Sequence, residues 1–215
     1  MSTRREFVKR IPYVAPAVLT LAAAPEYAKA GSVKRAGLSE VGVETIRRAA
    51  AVHPISDLQI EYGLASRGVE PRIIPALREL GIGMTAYGVL SRGLLTGAKP
   101  SGPRDLRAHL PRFAAGNAEK NRPLVDALAR LAAAKGVSAA QLAIAWVRAK
   151  AASQGVTIVP TIGARTRKQI GDALASVDVT LEASEVAALE AAVPASQIAG
   201  TRYGQEQMAV LDSER

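Results

Sequence analysis

Four short aliphatic runs, each followed by a stretch with helical periodicity, constrain this 215-residue chain more than anything else in it. Val33 to Leu38 reads as a strand ending at Ser39, and Val43 to Val52 as a helix stopped by Pro54. Leu58 to Leu64 is the next strand. Glu70 to Leu80 carries Ile73, Ile74, Leu77 and Leu80 at helical spacing and is closed by Gly81. Ile82 to Tyr87 is the third strand and Thr157 to Thr161 the fourth, with helices around 166–176 and 183–193 and then a polar tail. Between them, residues 97–120 are rich in Gly, Pro and charge and read as a long surface loop. Asn121 can cap a helix with Pro123 in its first turn and Leu124, Leu128 and Leu131 on one face. Ser138 and Gln141 form the signature of a capping box for the next helix, which carries Leu142, Ala145 and Trp146, the lone tryptophan reading as core.

Alternating strands and helices predict an α/β fold with a parallel sheet, and right-handed crossovers curve four such units into a half-barrel. Half a barrel leaves two strand edges without partners and, on this reading, an apolar inner face. Such a unit is expected to dimerise, to pair with a complementary half, or to aggregate.

Composition narrows the function. With 48% hydrophobic residues the chain can bury one core. The net charge of +9 is uneven: residues 1–30 carry five basic against two acidic side chains, and Arg165, Arg167 and Lys168 form a second cluster. No basic run alternates with aromatics, so nucleic acid is not the expected partner. The absence of cysteine excludes disulfides, thiolate metal sites and a cysteine nucleophile, and His53 and His109 are too isolated for a metal site. His53, beside Pro54, reads as a helix cap. Glu61 and Tyr62 read as strand packing.

The first thirty residues have their own layout. Thr3-Arg4-Arg5-Glu6-Phe7-Val8-Lys9 is similar to a twin-arginine export motif, an uncharged stretch runs from Ile11 to Pro25, and Ala28-Lys29-Ala30 matches a cleavage pattern. The stretch is too short for an integral membrane span and is interrupted by Pro12, Pro16 and Pro25. Two readings stand: a periplasmic export signal, or an unrelated leader on a cytoplasmic protein. In both, residues 1–30 lie outside the folded unit of residues 31–215.

Two segments can carry ligand chemistry. Gly163-Ala164-Arg165-Thr166-Arg167 joins a strand to a helix, where free N–H groups and the helix dipole favour an anion and the two guanidiniums supply fork-shaped donors. Leu90 to Gly97 holds Gly93 and Gly97, which allow close backbone approach, with Arg92 adding charge.

Read together, GSVKRAGLSEVGVETIRRA (31–49), LQIEYGLASR (58–67), ELGIGMTAYGVLSRGLLTG (79–97), PRFAAGNAEKN (111–121), KGVSAAQLAIAWV (135–147) and IVPTIGARTRKQIGDALA (158–175) resemble the second half of an aldo-keto reductase over about residues 31–203. The resemblance implies a partial (β/α)8 TIM barrel corresponding to strands 5–8 with their helices. It also implies an NADP(H) site. Ser39 and Glu40, the latter where many relatives have Asn, would hold the nicotinamide carboxamide together with Gln59. Tyr87 would stack on the nicotinamide ring. Leu90, Arg92 and Gly93 would pass the pyrophosphate; Gly163, Arg165 and Arg167 would take the adenosine 2′-phosphate; Gln169 and Asp172 would meet the adenine. Gly88-Val89 replaces the relatives' Ser-Pro, which is expected to loosen that loop. The family's catalytic Asp, Tyr, Lys and His lie on earlier strands and have no counterpart in residues 31–215. The resemblance thus implies an oxidoreductase that reduces carbonyls or oxidises alcohols, inactive as an isolated chain. The alternative is a non-catalytic NADPH-binding half-barrel or inactive fragment that needs a partner half.

Overall fold

The computed structural model describes residues 35–214, so the leader reading of residues 1–30 lies outside the described residues. Four parallel strands stand in chain order: β1 (Ala36–Ser39), β2 (Ile55–Glu61), β3 (Gly83–Tyr87) and β4 (Ile158–Pro160). Between them run α1 (Val43–Val52) and α2 (Ile73–Leu80), then α3 (Asn117–Lys135) and α4 (Ala139–Gln154). After β4 come α5 (Arg167–Ala175), α6 (Ala183–Ala192) and the short α7 (Gln205–Val210). The parallel α/β expectation therefore stands, with boundary shifts. β2 starts three residues early, immediately after Pro54, and α2 starts at Ile73 because Pro71 belongs to the preceding turn. No described helix is long and apolar enough to cross a membrane.

Register explains where the core sits. Leu38, Leu58, Met84 and Ile158 are partners across all four strands, and all are buried. Strand alternation puts Ile60 and Ala86, also buried, on the same side. The helices cover that side with Ile46, Ile74, Leu77, Leu128, Leu142 and Trp146, each at most 2% exposed. Burying each large side chain of this set stabilises by about 1.5–3 kcal/mol. Trp146 is core, as expected, and its ring is flanked by the Arg67 guanidinium and the Lys150 ammonium at 5.5 and 5.7 Å.

The opposite face of the sheet corrects the sequence reading. Ser39, Gln59, Thr85 and Val159 form the matching row, and Asp57 precedes Gln59 on the same side. Gln59 is exposed, and Val159 is the one large apolar member of the row. The open face is polar, so no contiguous apolar patch there drives aggregation.

Residues 97–120 hold two short 3-10 turns, Leu106–His109 and Pro111–Phe113, and are more than a surface loop, because Arg112 is buried. Asn121 does not cap α3. The helix begins at Asn117, and Asn121 is fully buried inside it. Its side chain clamps the tail instead, accepting from the Ala199 N–H at 2.8 Å and donating to the Ala199 carbonyl at 3.0 Å. The capping box at Ser138 and Gln141 forms as expected, and His53 ends α1 with its N–H on the Ala49 carbonyl.

From this clamp the tail returns across the carboxyl ends of the strands, a course its polar composition did not announce. Gly200 makes the return possible: its φ is +87°, and an added Cβ would lie 2.6 Å from the Pro111 carbonyl. Asp212 then accepts from the Gly42 N–H at 2.8 Å. Asn121→Ala is expected to leave the Ala199 N–H and carbonyl without partners and to cost about 2 kcal/mol. Urea unfolding checks this, and a loss below about 0.5 kcal/mol would show that the clamp does not hold the tail.

Candidate functional site

Function in parallel barrels gathers at the carboxyl ends of the strands, and here that end carries an unusual concentration of charge. Glu61 ends β2 with its side chain wholly buried. Three guanidiniums surround it: Arg92 at 3.3 Å, Arg112 at 3.3 Å and Arg202 at 3.8 Å. Ser66 Oγ donates to the same carboxylate at 2.7 Å. Glu61 is therefore the hub of an ion network, a stronger role than strand packing. Gly88 is shaped to it: with φ +65°, it lets the chain pass so close that a Cβ would lie 2.9 Å from Glu61 Cγ. Val89 beside it is buried, so the Gly88-Val89 loop is packed where a looser one was expected.

Glu40 is the second hub. Its carboxylate accepts from the Glu61 N–H, Tyr87 Oη, both terminal nitrogens of Arg202, and Ser213 Oγ. Burial works to raise its pKa, but Arg202's hydrogen bonds and charge, with Tyr87 and Ser213, prevail and hold it below the ordinary value of 4.5. Burial likewise opposes the charge on Arg202, yet Glu40 and Glu61 hold its pKa above the usual guanidinium range. Tyr87 Oη also meets Tyr203 Oη at 2.9 Å. Its phenol is pushed upward by burial first, then by Tyr203 and Glu40, so it stays protonated. Tyr203 in turn lies under the Arg92 guanidinium, 4.6 Å from the ring centroid.

Backbone strain marks the same place. Glu40, Ser91 and Arg92 are the described non-glycine residues with positive φ, at +52°, +48° and +55°. Each left-handed residue costs roughly 1–3 kcal/mol and persists only where its surroundings fix it. All three side chains belong to this network, Ser91 Oγ accepting from Arg112 at 2.8 Å.

The residues expected to hold NADP(H) fall into two groups. Ser39, Glu40, Gln59 and Tyr87 stand at or near the ends of adjacent strands, with Ser39 opposite Gln59 and Glu61 opposite Tyr87. Among them Gln59 is open, while Glu40 is engaged by the tail. Leu90 precedes the 3-10 turn Ser91–Thr96 after β3, and Arg92 and Gly93 lie in it with positive φ, Arg92 pointing to Glu61 and Tyr203. The second group follows β4. Gly163, Arg165 and Arg167 are exposed at the start of α5, and neither guanidinium is paired among the described residues. Gln169 serves this turn, its Oε1 accepting from the Arg165 and Thr166 N–H groups while its own N–H reaches Thr166 Oγ. Asp172 accepts from Ser138 Oγ at 3.0 Å, tying α5 to α4. His109 bonds the Pro103 carbonyl in its own loop.

Sequence reasoning missed Arg112, Arg202 and Tyr203. Arg202 and Tyr203 lie in a tail with no periodicity. Arg112 had one signal, an arginine between Pro111 and Phe113 in an otherwise polar loop.

Because Glu40 has a depressed pKa in the folded protein, its contribution to stability is complete above about pH 4.5, the unfolded value, and fades as pH falls through the folded value. Acid unfolding of the native chain should show this dependence, and Glu40→Gln should flatten it. Glu40→Ala strips a buried arginine of its partner and is expected to cost about 3–5 kcal/mol in urea unfolding. A loss under about 1 kcal/mol would show that the tail is not anchored here.

Comparison with known proteins fits this geometry. The aldo/keto reductase family profile matches residues 8–194. The match starts within the segment read as a leader and stops short of Tyr203, so the family likeness is not confined to the stretch from about 31 to 203. Among solved structures, the glycerol dehydrogenase of Gluconobacter oxydans superposes with a TM-score of 0.72 at 25% identity, over 85% of this chain and 55% of that one. A thermostable aldo-keto reductase in complex with the inhibitor epalrestat has a TM-score of 0.58 at 20% identity, over 85% and 56%. The chain thus spans about half the length of each of these proteins. With the profile covering most of its residues, the chain belongs to the aldo/keto reductase family.

Proposed function

We propose that this chain is the NADP(H)-holding part of an oxidoreductase that reduces carbonyls or oxidises alcohols. One observation carries the reading: the exposed pair Arg165 and Arg167 opens α5 directly after the edge strand β4, and neither guanidinium has a partner among the described residues. Most other arginines near the strand ends are already neutralised by Glu40, Glu61 or Glu70. A pair left open at a helix start suits a phosphate monoester, which bidentate guanidiniums recognise.

The remaining residues fit the cofactor in part. Gln59 is exposed, and its carboxamide, unpaired among the described residues, offers both a donor and an acceptor. Glu40 fits less well, since Arg202, Tyr87 and Ser213 already fill its oxygens. When bound, the nicotinamide supplies or receives the hydride. The chain's own residues bind and orient it.

Proton transfer to the carbonyl oxygen needs a general acid. Tyr87 is held neutral between Glu40 and Tyr203, and no tyrosine hydroxyl bonds a lysine among the described residues. We therefore assign the acid to strands outside residues 35–214. Those strands would complete the ring at the outer edges of β1 and β4, which have no strand partner among the described residues. A complementary barrel half would supply them.

Titration of the purified chain with NADPH, followed by nucleotide fluorescence, tests the reading. Saturable binding tighter than for NADH is expected, weakened roughly tenfold or more in Arg165→Ala/Arg167→Ala. Equal affinity for both nucleotides, unchanged in the double variant, would overturn it. The chain alone should reduce no carbonyl substrate, and steady turnover by it would place the acid within these residues.

A further inference from the structure

Tyr87 ends β3 on the same side of the sheet as Thr85, the strand partner of Gln59, so its half-buried ring borders the open polar face. Its hydroxyl is tied at three points: Glu40 Oε1 at 2.7 Å, Tyr203 Oη at 2.9 Å and Arg202 Nη1 at 3.4 Å.

The direction of these bonds follows from counting protons. The phenol has one proton, and the Glu40 carboxylate, ionised at neutral pH, can only accept it. Tyr87 therefore donates to Glu40. A guanidinium can only donate, so Arg202 gives a proton to Tyr87 Oη and takes none. Tyr87 Oη must then accept from Tyr203, whose hydroxyl bonds nothing else among the described residues. Donation runs in one direction, from Tyr203 to Tyr87 to Glu40.

Two of the three tethers come from the tail. Tyr203 is itself held: the Arg92 and Arg202 guanidiniums lie 4.6 and 5.5 Å from its ring centroid, and its carbonyl accepts from Thr201 Oγ1 at 2.7 Å. It stands beyond residue 194, where the family match ends. The torsion that tilts a tyrosine ring is soft, so a ring fixed only at its Cβ would swing. Anchored on β3 at one end and on the tail at the other, the Tyr87 ring keeps one tilt.

Resting on the cofactor reading above, in which the Tyr87 ring stacks on the nicotinamide, we propose that Tyr203 is a positioning residue of that site. By donating its hydroxyl to Tyr87 it fixes the tilt of the ring against which the nicotinamide lies. A platform set before the nucleotide arrives spares the entropy of immobilising it on binding.

The test uses two nucleotides on the full chain: NADPH, and adenosine 2′,5′-bisphosphate, which has the adenine and the 2′-phosphate but no nicotinamide. Tyr203→Phe deletes the hydroxyl and keeps the ring that meets Arg92 and Arg202. It should weaken NADPH about threefold to tenfold, the cost of immobilising one side chain. It should also change the emission of bound NADPH and leave adenosine 2′,5′-bisphosphate affinity within about twofold of native. Tyr87→Phe keeps the stacking ring without its tethered hydroxyl and should weaken NADPH at least as much. Adding Tyr203→Phe to it should then cost nothing more, because the two act through one bond. The inference is overturned if Tyr203→Phe leaves NADPH affinity and emission unchanged, if it weakens both nucleotides alike, as a purely structural role would, or if the two substitutions add in full. Each of those outcomes leaves the cofactor reading standing. A native chain that binds neither nucleotide overturns that reading, and this inference with it.

Discussion

The Glu40–Arg202 ion pair joins the two ends of the described chain, 162 residues apart, and the strand-end architecture hangs on it. Arg202 is 7% exposed, and a buried guanidinium is tolerable only with its charge matched and its donors used. Glu40 meets both conditions, but it must leave β1 with a positive φ to do so. That strain is repaid by the number of bonds the carboxylate then accepts, from β2, β3 and the tail. With Arg202 in place, Tyr203 is set against Tyr87 and beneath Arg92. The tail is thus part of the site and not an appendage to it.

The two ends of the candidate cofactor site are built on opposite terms. At β1 to β3 the polar groups are satisfied within the protein, by Glu40, Glu61 and the arginines around them. At β4 the arginines stand open, and the turn is kept in shape by Gln169. Gln169 occupies the Arg165 and Thr166 N–H groups just before the helix and Thr166 Oγ1 takes that of Gln169, so on the proposed reading a phosphate there would meet at most the Arg167 and Lys168 N–H groups beside the guanidinium side chains. On that reading Arg165 and Arg167 supply the charge that sets affinity at this end, with the helix dipole in support.

Much of the fold was legible in the sequence because its signals were local. The aliphatic runs of the strands, the closing Gly81 and the Ser138–Gln141 box each specify their own element, and each formed. The candidate cofactor positions were legible for a different reason, through their resemblance in order and spacing to a known family. What stayed hidden depends on distant partners. Asn121 looked like a cap because capping is local chemistry, while its bonds to Ala199 span 78 residues. Arg112 and Glu61 look like surface charge and strand filler until the fold brings them together. The open face of the sheet was misjudged through a generalisation from barrels, although Asp57, Gln59 and Glu61 alternate in plain view with Leu58 and Ile60.

That polar face bears on how the sheet would be completed on the proposed half-barrel reading. A hydrophobic face would bind any apolar surface and would reward collapse in many registers. A face of Ser39, Asp57, Gln59 and Thr85 gains little from indiscriminate contact, since each polar group must find a partner or keep its water. On that reading, completion would be driven elsewhere. The outer edges of β1 and β4 supply directional backbone groups, and Ile170, Leu174 and Val177, 44–62% exposed on and just after α5, supply apolar area at i, i+4 and i+7 beside β4. A partner that adds a strand to β4 and lays a helix over this stripe satisfies both demands at once. A partner offering only apolar surface satisfies one and leaves the strand edge unpaired. On the half-barrel reading proposed above, the unit that completes the sheet at β4 is therefore one that brings both a strand and a helix.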